Sequence, residues 1–287
     1  MNTNLSNHKK IARIVTFLTL AMAMLPVTLH AQSAKSAKGA ASFSTMGADQ
    51  MSAFFDDLIP RQLAERHIPG AVVVVVQDGE ILFEGGYGYV NLEKQIKVDP
   101  ETSLFRIASI TKLFTWTAVM QLVEQGKLDL DADINQYLDF QIPDTFPQPI
   151  TMKDLMSHTA GFEDYYFATY AAEPADIQPS GQWLSAHIPE RVYPPGQVPA
   201  YSNYGANLAG YIVERLSGVA WDTYVKQKIL EPLGMAQATA QQPLPEALQP
   251  DMAMSYLYTD GKFIPQSFDL LSPPAAGGMS ASGGDMA

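Results

Sequence analysis

Ser109 and Lys112 stand three residues apart at the start of a long apolar segment. If that segment is a helix, both side chains lie on one face with Cβ atoms about 5–6 Å apart, so the hydroxyl and the amine can share a proton. A serine becomes a nucleophile near neutral pH only when a neighbouring group takes its proton. The spacing alone is weak evidence, because Ser6 and Lys9 match it too. An ordinary helix N-cap is the alternative role for Ser109.

Tyr201 and Asn203 form a second candidate element, between a loop rich in proline and glycine and an apolar segment. A tyrosine can relay a proton when a nearby cation such as Lys112 stabilises its ionised form. Asn203 can donate and accept hydrogen bonds at once, which suits the positioning of a substrate amide or of the lysine. Tyr89 and Asn91 have the same spacing at the end of a predicted strand, where a structural role is favoured.

Other polar patterns favour structural roles. His158 follows a predicted helix in a turn that ends with glycine, and a structural turn histidine is favoured over a catalytic one. Asp129, Asp131 and Asp133 imitate the start of a calcium loop, but that loop needs glycine at its sixth position, where this chain has isoleucine. The histidines after residue 31 lack metal-ligand spacing. These patterns therefore predict no metal site.

The first 31 residues have the composition of an export signal. Three basic residues precede a short apolar run that Pro26 interrupts, and Ala31 supplies a small residue before a cleavage point. A membrane anchor needs about 20 apolar residues, so cleavage near Gln32 is favoured over anchoring. We therefore predict an exported protein, periplasmic or secreted, with a signal peptide at 1–31, a flexible linker at 32–47 and a folded domain at 48–287.

The charge of the chain limits its partners. It has 18 basic and 30 acidic residues, a formal charge of −12, and no cysteine. Loss of the three basic residues of the signal would lower this charge to −15. Such a surface repels nucleic acid and anionic lipid. We expect a small-molecule or peptidoglycan-like substrate, no nucleic-acid partner and no stable membrane span.

Hydrophobic periodicity predicts the elements that position these residues. It predicts a helix from about 48 to 66, and then a hairpin whose strands, 71–77 and 81–83, meet at an Asp-Gly turn. The unbroken apolar run of the first strand favours a place deep in a sheet, covered on both faces. The helix after Ser109 should end near Gly126, and a second Asp-Gly hairpin is expected around 255–264.

Taken together, these residues resemble the serine β-lactamase and penicillin-binding-protein superfamily, most closely its class C-like and esterase-like branch. The matching segments occur in the family's order, from about residue 50 to the end of the chain. They are 105–112 around the serine and lysine, 155–161 around His158, 194–205 around Tyr201, 231–235, and 276–280 with its paired glycines. A Ser-x-x-Lys signature is known in this superfamily, in which the identity of the acylation base is disputed.

The resemblance implies an α+β fold of the β-lactamase/DD-peptidase type, an antiparallel sheet flanked by helices plus a mainly helical subdomain. It makes Ser109 the nucleophile and Lys112 its proton acceptor or a source of positive field. Tyr201 becomes the general base and acid, and Asn203 positions substrate and lysine. The implied activity is hydrolysis of an ester, a D-Ala-type peptide or a β-lactam, with the acyl group of the substrate transferred first to the serine. This reaction requires no metal or organic cofactor. The alternatives are a non-catalytic binder of penicillin or wall peptides and an inactive structural relative.

One departure from the family pattern follows Tyr201. The family completes its site with a Lys-Thr-Gly or His-x-Gly type triplet on a strand that also gives half of the oxyanion hole, and no such triplet occurs after Tyr201. The resemblance therefore implies that further strands follow Ala287 in a longer chain. In their absence, a backbone amide of Gly277 or Gly278 would have to supply the second oxyanion donor.

Overall fold

The computed structural model describes residues 47–163 and 169–287. The signal peptide predicted at 1–31 and nearly all of the linker at 32–47 lie outside the described residues and stay predictions. In the described ranges, none of the helices has both the length and the apolar character that a membrane crossing requires.

The described residues form groups of strands separated by groups of helices. The helices are α1 Ala48–Arg66, α2 Thr111–Glu124, α3 Met152–Met156, α4 Ser180–Ala186, α5 Asn203–Ser217, α6 Trp221–Val225, α7 Glu231–Leu233 and α8 Gly283–Met286. The strands are β1 Gly70–Gln77, β2 Glu80–Asn91, β3 Ile96–Lys97, β4 Phe105–Arg106, β5 Tyr170–Ala171, β6 Ser255–Thr259, β7 Lys262–Gln266, β8 Leu270–Leu271 and β9 Ser280–Ala281. A 3₁₀ turn, Ala108–Ile110, leads directly into α2.

The largest sheet has three antiparallel strands in the order β1-β2-β3. The turn between β1 and β2 is the predicted Asp-Gly pair, in which Asp78 has φ 55° and Gly79 has φ 83°. Helix α1 covers one face of the sheet, where the Phe55 and Phe83 rings stack with centroids 5.0 Å apart. The predicted first helix and first hairpin are both confirmed.

The predicted burial of β1 on both faces is wrong. Six of its eight residues are only half-buried, and Val76 is 44% exposed. Among the described residues β1 pairs with β2 alone, so its other edge carries no partner strand there. Helix α8 covers part of the face opposite α1, since Gly283 lies too close to Val72 for a Cβ to fit. The rest of that face forms an open groove of about 490 Å³. A valine run specifies an extended strand, but what covers that strand depends on distant elements.

Helices α2 and α5 form the centre of the main core. The residues that they bury completely include Ala118, Val119 and Leu122 from α2 and Leu208, Ala209 and Ile212 from α5. The side chain of Ser202 caps α5 by accepting a hydrogen bond from Gly205 N at 3.0 Å. Helix α2 ends at Glu124 and is followed by Gly126 with φ 68°, as its sequence predicts.

Three two-stranded pieces connect distant parts of the chain. The hairpin of β6 and β7 confirms the second predicted Asp-Gly turn. Strand β5 pairs with β8, and β4 pairs with β9. The last pair matters most for the site, because it fixes the segment before Ser109 to the segment after Gly278.

Candidate active site

Ser109 lies exposed in the 3₁₀ turn between β4 and α2. The pairing of β4 with β9 fixes the segment just before Ser109, because Arg106 pairs with Ser280 and Ile107 N donates to Met279 O at 3.1 Å. Ala108 then adopts φ 45°, a left-handed conformation that is rare for a residue with a Cβ. Such conformations cost about 1–3 kcal/mol and persist only where the surrounding structure enforces them. The backbone is thus constrained immediately before the candidate nucleophile.

Lys112 is the centre of a buried hydrogen-bond network. Its Nζ donates to Ser109 Oγ at 3.3 Å, to Asn203 Oδ1 at 2.8 Å and to the Ala276 carbonyl at 2.9 Å. An ammonium group has three N–H donors, so these three acceptors satisfy it completely. The residue is only 5% exposed. Because a buried charge needs partners of this kind, the network fixes the amine next to Ser109.

Tyr201 is the second residue in hydrogen-bond contact with Ser109 Oγ. Its hydroxyl donates to Ser109 Oγ at 2.7 Å, and its ring centre lies 4.6 Å from Lys112 Nζ. Tyr201 is 46% exposed, so the phenol faces the open side of the site. Ser109 Oγ therefore contacts two candidate proton carriers at once. The structure brings together all four residues that the sequence analysis selected: Ser109, Lys112, Tyr201 and Asn203.

The Ala276 carbonyl belongs to a loop, residues 275–278, whose main chain is held by side chains of the two core helices. From α2, Thr115 Oγ1 donates to Ala275 O at 2.7 Å. From α5, Asn207 Oδ1 accepts from Ala276 N at 2.8 Å. Thr115 and Asn207 are almost completely buried. The two helices thus fix the peptide group between Ala275 and Ala276, immediately before the carbonyl that binds Lys112.

The amides of Gly277 and Gly278 do not point to a reacting group. Both donate to Pro274 O, at 3.1 and 2.7 Å. A tight turn at Pro274 thus uses both amides, so neither is free in this structure to act as an oxyanion donor.

Arg106 holds the far side of the 275–278 loop. One of its guanidinium nitrogens donates to Gly277 O at 3.4 Å and the other to Gln242 Oε1 at 3.3 Å. The guanidinium carbon lies 4.7 Å from the centre of the Phe268 ring. Burial lowers the pKa of Arg106 from its ordinary value, and the charge of Asp269 opposes that shift. The side chain therefore acts as a buried brace between the turn at Ser109 and the loop.

Sequence reasoning assigned no role to Thr115, Asn207 or Arg106. A signal was present for the first two. Thr115 lies three residues after Lys112, and Asn207 four residues after Asn203, so each is a polar residue on the inward face of an apolar helix. Arg106 has no comparable signal, because its partners lie more than 130 residues away in sequence.

The residues judged structural have structural contacts. Tyr89 lies within β2 and pairs with Lys97 of β3. Asp131 forms an ion pair with Lys153 at 2.6 Å, and Asp133 caps the following turn by accepting from Asn135 N.

Three comparisons place this geometry among known proteins. A family model described as Beta-lactamase matches residues 55–287. Protein flp of Staphylococcus aureus (strain N315) is 29% identical over 189 residues, which are 65% of this chain and 38% of that protein. The structure of the octameric penicillin-binding protein homologue from Pyrococcus abyssi is 29% identical with a TM-score of 0.66, over 82% of this chain and 54% of that one.

The fold is also that of class C β-lactamases. One such structure gives a TM-score of 0.67 at 22% identity, over 86% of this chain and 65% of the other. The chain thus spans between about two fifths and two thirds of the length of the proteins that it matches. The helices, the antiparallel strands and the family match lead to one conclusion: this chain belongs to the beta-lactamase family, whose fold also includes penicillin-binding protein homologues.

Proposed function

We propose that this protein is a serine hydrolase that works by acyl transfer through Ser109. The observation that carries the proposal is the double contact at Ser109 Oγ, with the Tyr201 hydroxyl at 2.7 Å and Lys112 Nζ at 3.3 Å. A nucleophile in hydrogen-bond reach of a base that a third group orients is the general signature of covalent catalysis. An ester, a peptide ending in D-alanine and a β-lactam are the substrate classes to test.

The contacts favour Tyr201 over Lys112 as the group that accepts the serine proton. Lys112 Nζ already donates to three acceptors, and an ammonium group has no free lone pair with which to take a proton. In the proposed mechanism Tyr201 reacts as the phenolate, with Lys112 Nζ 4.6 Å from the centre of its ring. The hydrogen bond between Tyr201 and Ser109 then reverses, and the serine proton moves to the phenolate oxygen.

The remaining steps use the same proton. Ser109 Oγ bonds to the carbonyl carbon of the substrate, the bond to the leaving oxygen or nitrogen breaks, and Tyr201 gives its proton to that atom. Water then attacks the carbonyl carbon of the acyl-serine and passes a proton to the Tyr201 phenolate. The bond between Ser109 Oγ and the acyl group breaks, the acid leaves, and Tyr201 returns that proton to Ser109 Oγ. Asn203 keeps Lys112 in place through Oδ1, and its amide NH₂ is the group to contact a substrate carbonyl.

Covalent labelling tests the proposal. The protein and a Ser109→Ala variant are incubated with a fluorophosphonate probe, a fluorescent penicillin and a nitrophenyl ester, with Ser157→Ala as the control. Ser157 is also exposed, but it bonds only within its own turn. We expect labelling of the native protein and of Ser157→Ala, and none of Ser109→Ala. Persistent labelling of Ser109→Ala would place the nucleophile elsewhere.

A non-catalytic binder of penicillin or wall peptides is the second candidate function. The similarity to a penicillin-binding protein homologue at 29% identity favours it. Mass spectrometry over time separates the candidates, because a hydrolase loses its acyl adduct within minutes and a binder keeps it. A protein that never forms an adduct is an inactive relative.

Export is part of the proposal. The basic residues and short apolar run of residues 1–31 support secretion to the periplasm or the medium, with a mature chain that begins near Gln32. The intact mass of the protein recovered from outside the cytoplasm tests this. A mass that still includes Lys9 and Lys10 would contradict it.

A further inference from the structure

His158 brackets the backbone on both sides of Tyr201. Its carbonyl oxygen accepts a hydrogen bond from Ala200 N at 2.7 Å. Its ring Nδ1 accepts one from Ser202 N at 3.2 Å. Thus one residue binds the amide before the tyrosine and the amide after it. These two bonds fix the direction in which the Tyr201 side chain leaves the main chain.

The His158 ring also packs against the phenol itself. The two ring centroids are 4.5 Å apart, with the planes tilted by 37°. Lys112 Nζ lies 4.6 Å from the centre of the same phenol ring. The Tyr201 ring is therefore located by an imidazole and an ammonium group, and its hydroxyl ends 2.7 Å from Ser109 Oγ.

The backbone at His158 is specialised for this contact. The residue has φ 57°, in the left-handed region, directly after α3. Helix α3 is itself anchored by a capping box between Thr151 and Asp154. Histidine and asparagine are among the few residues other than glycine that are enriched in this conformation. The turn thus holds His158 Nδ1, a hydrogen-bond acceptor bonded directly to Cγ, in a fixed position.

We propose that His158 is a positioning residue for Tyr201, acting through the hydrogen bond that its Nδ1 accepts from Ser202 N. The inference rests on the proposed function in that Tyr201 is the proton carrier. It goes further because it assigns the placement of that carrier to a residue that does not touch Ser109 or the substrate. Because Nδ1 accepts a hydrogen bond from Ser202 N, a neutral His158 ring carries its proton on Nε2.

Two substitutions distinguish the role of the Nδ1 acceptor from the role of the left-handed backbone conformation. His158→Asn keeps tolerance of positive φ and places an amide oxygen where Nδ1 lies now. His158→Gly keeps the conformation and removes both the acceptor and the ring. The control is His67→Gly, because His67 also has φ 55° and its ring stacks on a tyrosine, Tyr258, at 3.7 Å. That second pair lies at the end of α1, outside the proposed site.

The first measurement is the rate of labelling of Ser109 by a fluorophosphonate at several probe concentrations. We expect His158→Gly to lower the maximal labelling rate by about 10- to 100-fold, the scale of a displaced catalytic group, with half-saturation changed less than about twofold. His158→Asn should label within about threefold of native, and His67→Gly like native. Equal rates for native protein and His158→Gly, at equal melting temperatures, overturn the proposal. So does a His158→Asn variant as slow as His158→Gly.

The second measurement does not need activity. In protein labelled with 3-fluorotyrosine, the Tyr201 resonance is identified by its loss in Tyr201→Phe. We expect it to keep its position in His158→Asn and to shift or broaden in His158→Gly. In native protein labelled with ¹⁵N, the Ser202 amide should show a scalar coupling to His158 Nδ1. Absence of that coupling overturns the proposal even if the glycine variant does not fold. If no probe labels the native protein, the proposed function fails, while the fluorine and coupling data still decide the role of His158.

Discussion

The site and the three-stranded sheet use polar and apolar residues in opposite ways. Around Ser109, buried polar side chains satisfy one another and the main chain: Lys112, Thr115 and Asn207 all contact the 275–278 loop. In the sheet, β1 presents valines that are half-buried, beside an open groove. A buried polar atom that loses its partner pays a full desolvation cost, whereas a half-exposed methyl group loses little. Substitutions around Ser109 should therefore lower the labelling rate or the free energy of unfolding strongly, and substitutions in the three-stranded sheet only slightly.

The largest expected effect is that of Lys112→Ala. Removal of the amine withdraws the positive field beside Tyr201 and leaves three acceptors without their donor. We expect labelling of Ser109 to slow by at least about 10²–10⁴-fold, as for lost acid-base catalysis. The control is Lys97→Ala, which removes an exposed lysine of the sheet. Comparable losses in both variants would break the contrast between the two regions.

Tyr201→Phe should have the next largest effect. The phenyl ring still packs between His158 and Lys112, but the proton relay to Ser109 is gone. We expect an unchanged melting temperature and acylation, deacylation or both slowed by about 10²-fold or more. Tyr89→Phe in β2 is the matched control and should label like the native protein. If the two variants behave alike, the assignment of the Tyr-x-Asn element is wrong.

Thr115→Val tests the support of the loop rather than the chemistry. The valine has nearly the same shape but leaves the buried Ala275 carbonyl without its donor. We expect the free energy of unfolding to fall by about 1–3 kcal/mol, with slower labelling as Lys112 loses its fixed acceptor. Thr117→Val is the control on the same helix, because Thr117 is exposed and bonds within its own helix. Urea unfolding of both variants measures the difference, and an equal change would count against a specific role for Thr115.

The smallest effect is expected in the sheet. Val76 is 44% exposed at the end of β1. Val76→Thr keeps the β-branched shape, so we expect the free energy of unfolding to change by less than about 0.5 kcal/mol and labelling to stay at the native rate. Solubility should rise, because an exposed apolar strand edge favours association. A large loss of stability would mean that this part of β1 is more closely packed than its exposure indicates.

Local patterns accounted for much of the fold and of the site. Residues close together in the sequence specify four elements through their periodicity and turn chemistry. These elements are the helix 48–66, the two Asp-Gly hairpins and the helix after Ser109. The same is true of the pair formed by Ser109 and Lys112, because one helical turn fixes their separation. The meeting of this pair with Tyr201, 92 residues later, came from the family resemblance and not from spacing.

The parts that escaped prediction depend on contacts between distant segments. Thr115 and the carbonyl that it binds are 160 residues apart, and Arg106 lies 171 residues from Gly277. No rule of spacing connects such positions. The prediction that β1 is covered on both faces failed for the same reason, because an apolar run does not reveal which later element packs on it. The turn that uses the amides of Gly277 and Gly278 was also not predicted, although it is local, because its acceptor is the carbonyl of Pro274.

The way in which the 275–278 loop is held has a consequence for how this protein can diverge. Lys112, Thr115, Asn207 and Arg106 bind only its carbonyl oxygens and an amide, which every residue type except proline provides. These hydrogen bonds therefore do not restrict which side chains the loop residues carry. Gly277 has room for a Cβ, whose nearest neighbour would be 3.4 Å away, whereas at Gly278 a Cβ would meet Pro274 at 2.6 Å. The residue at 277 can therefore change during evolution while Lys112 keeps its place.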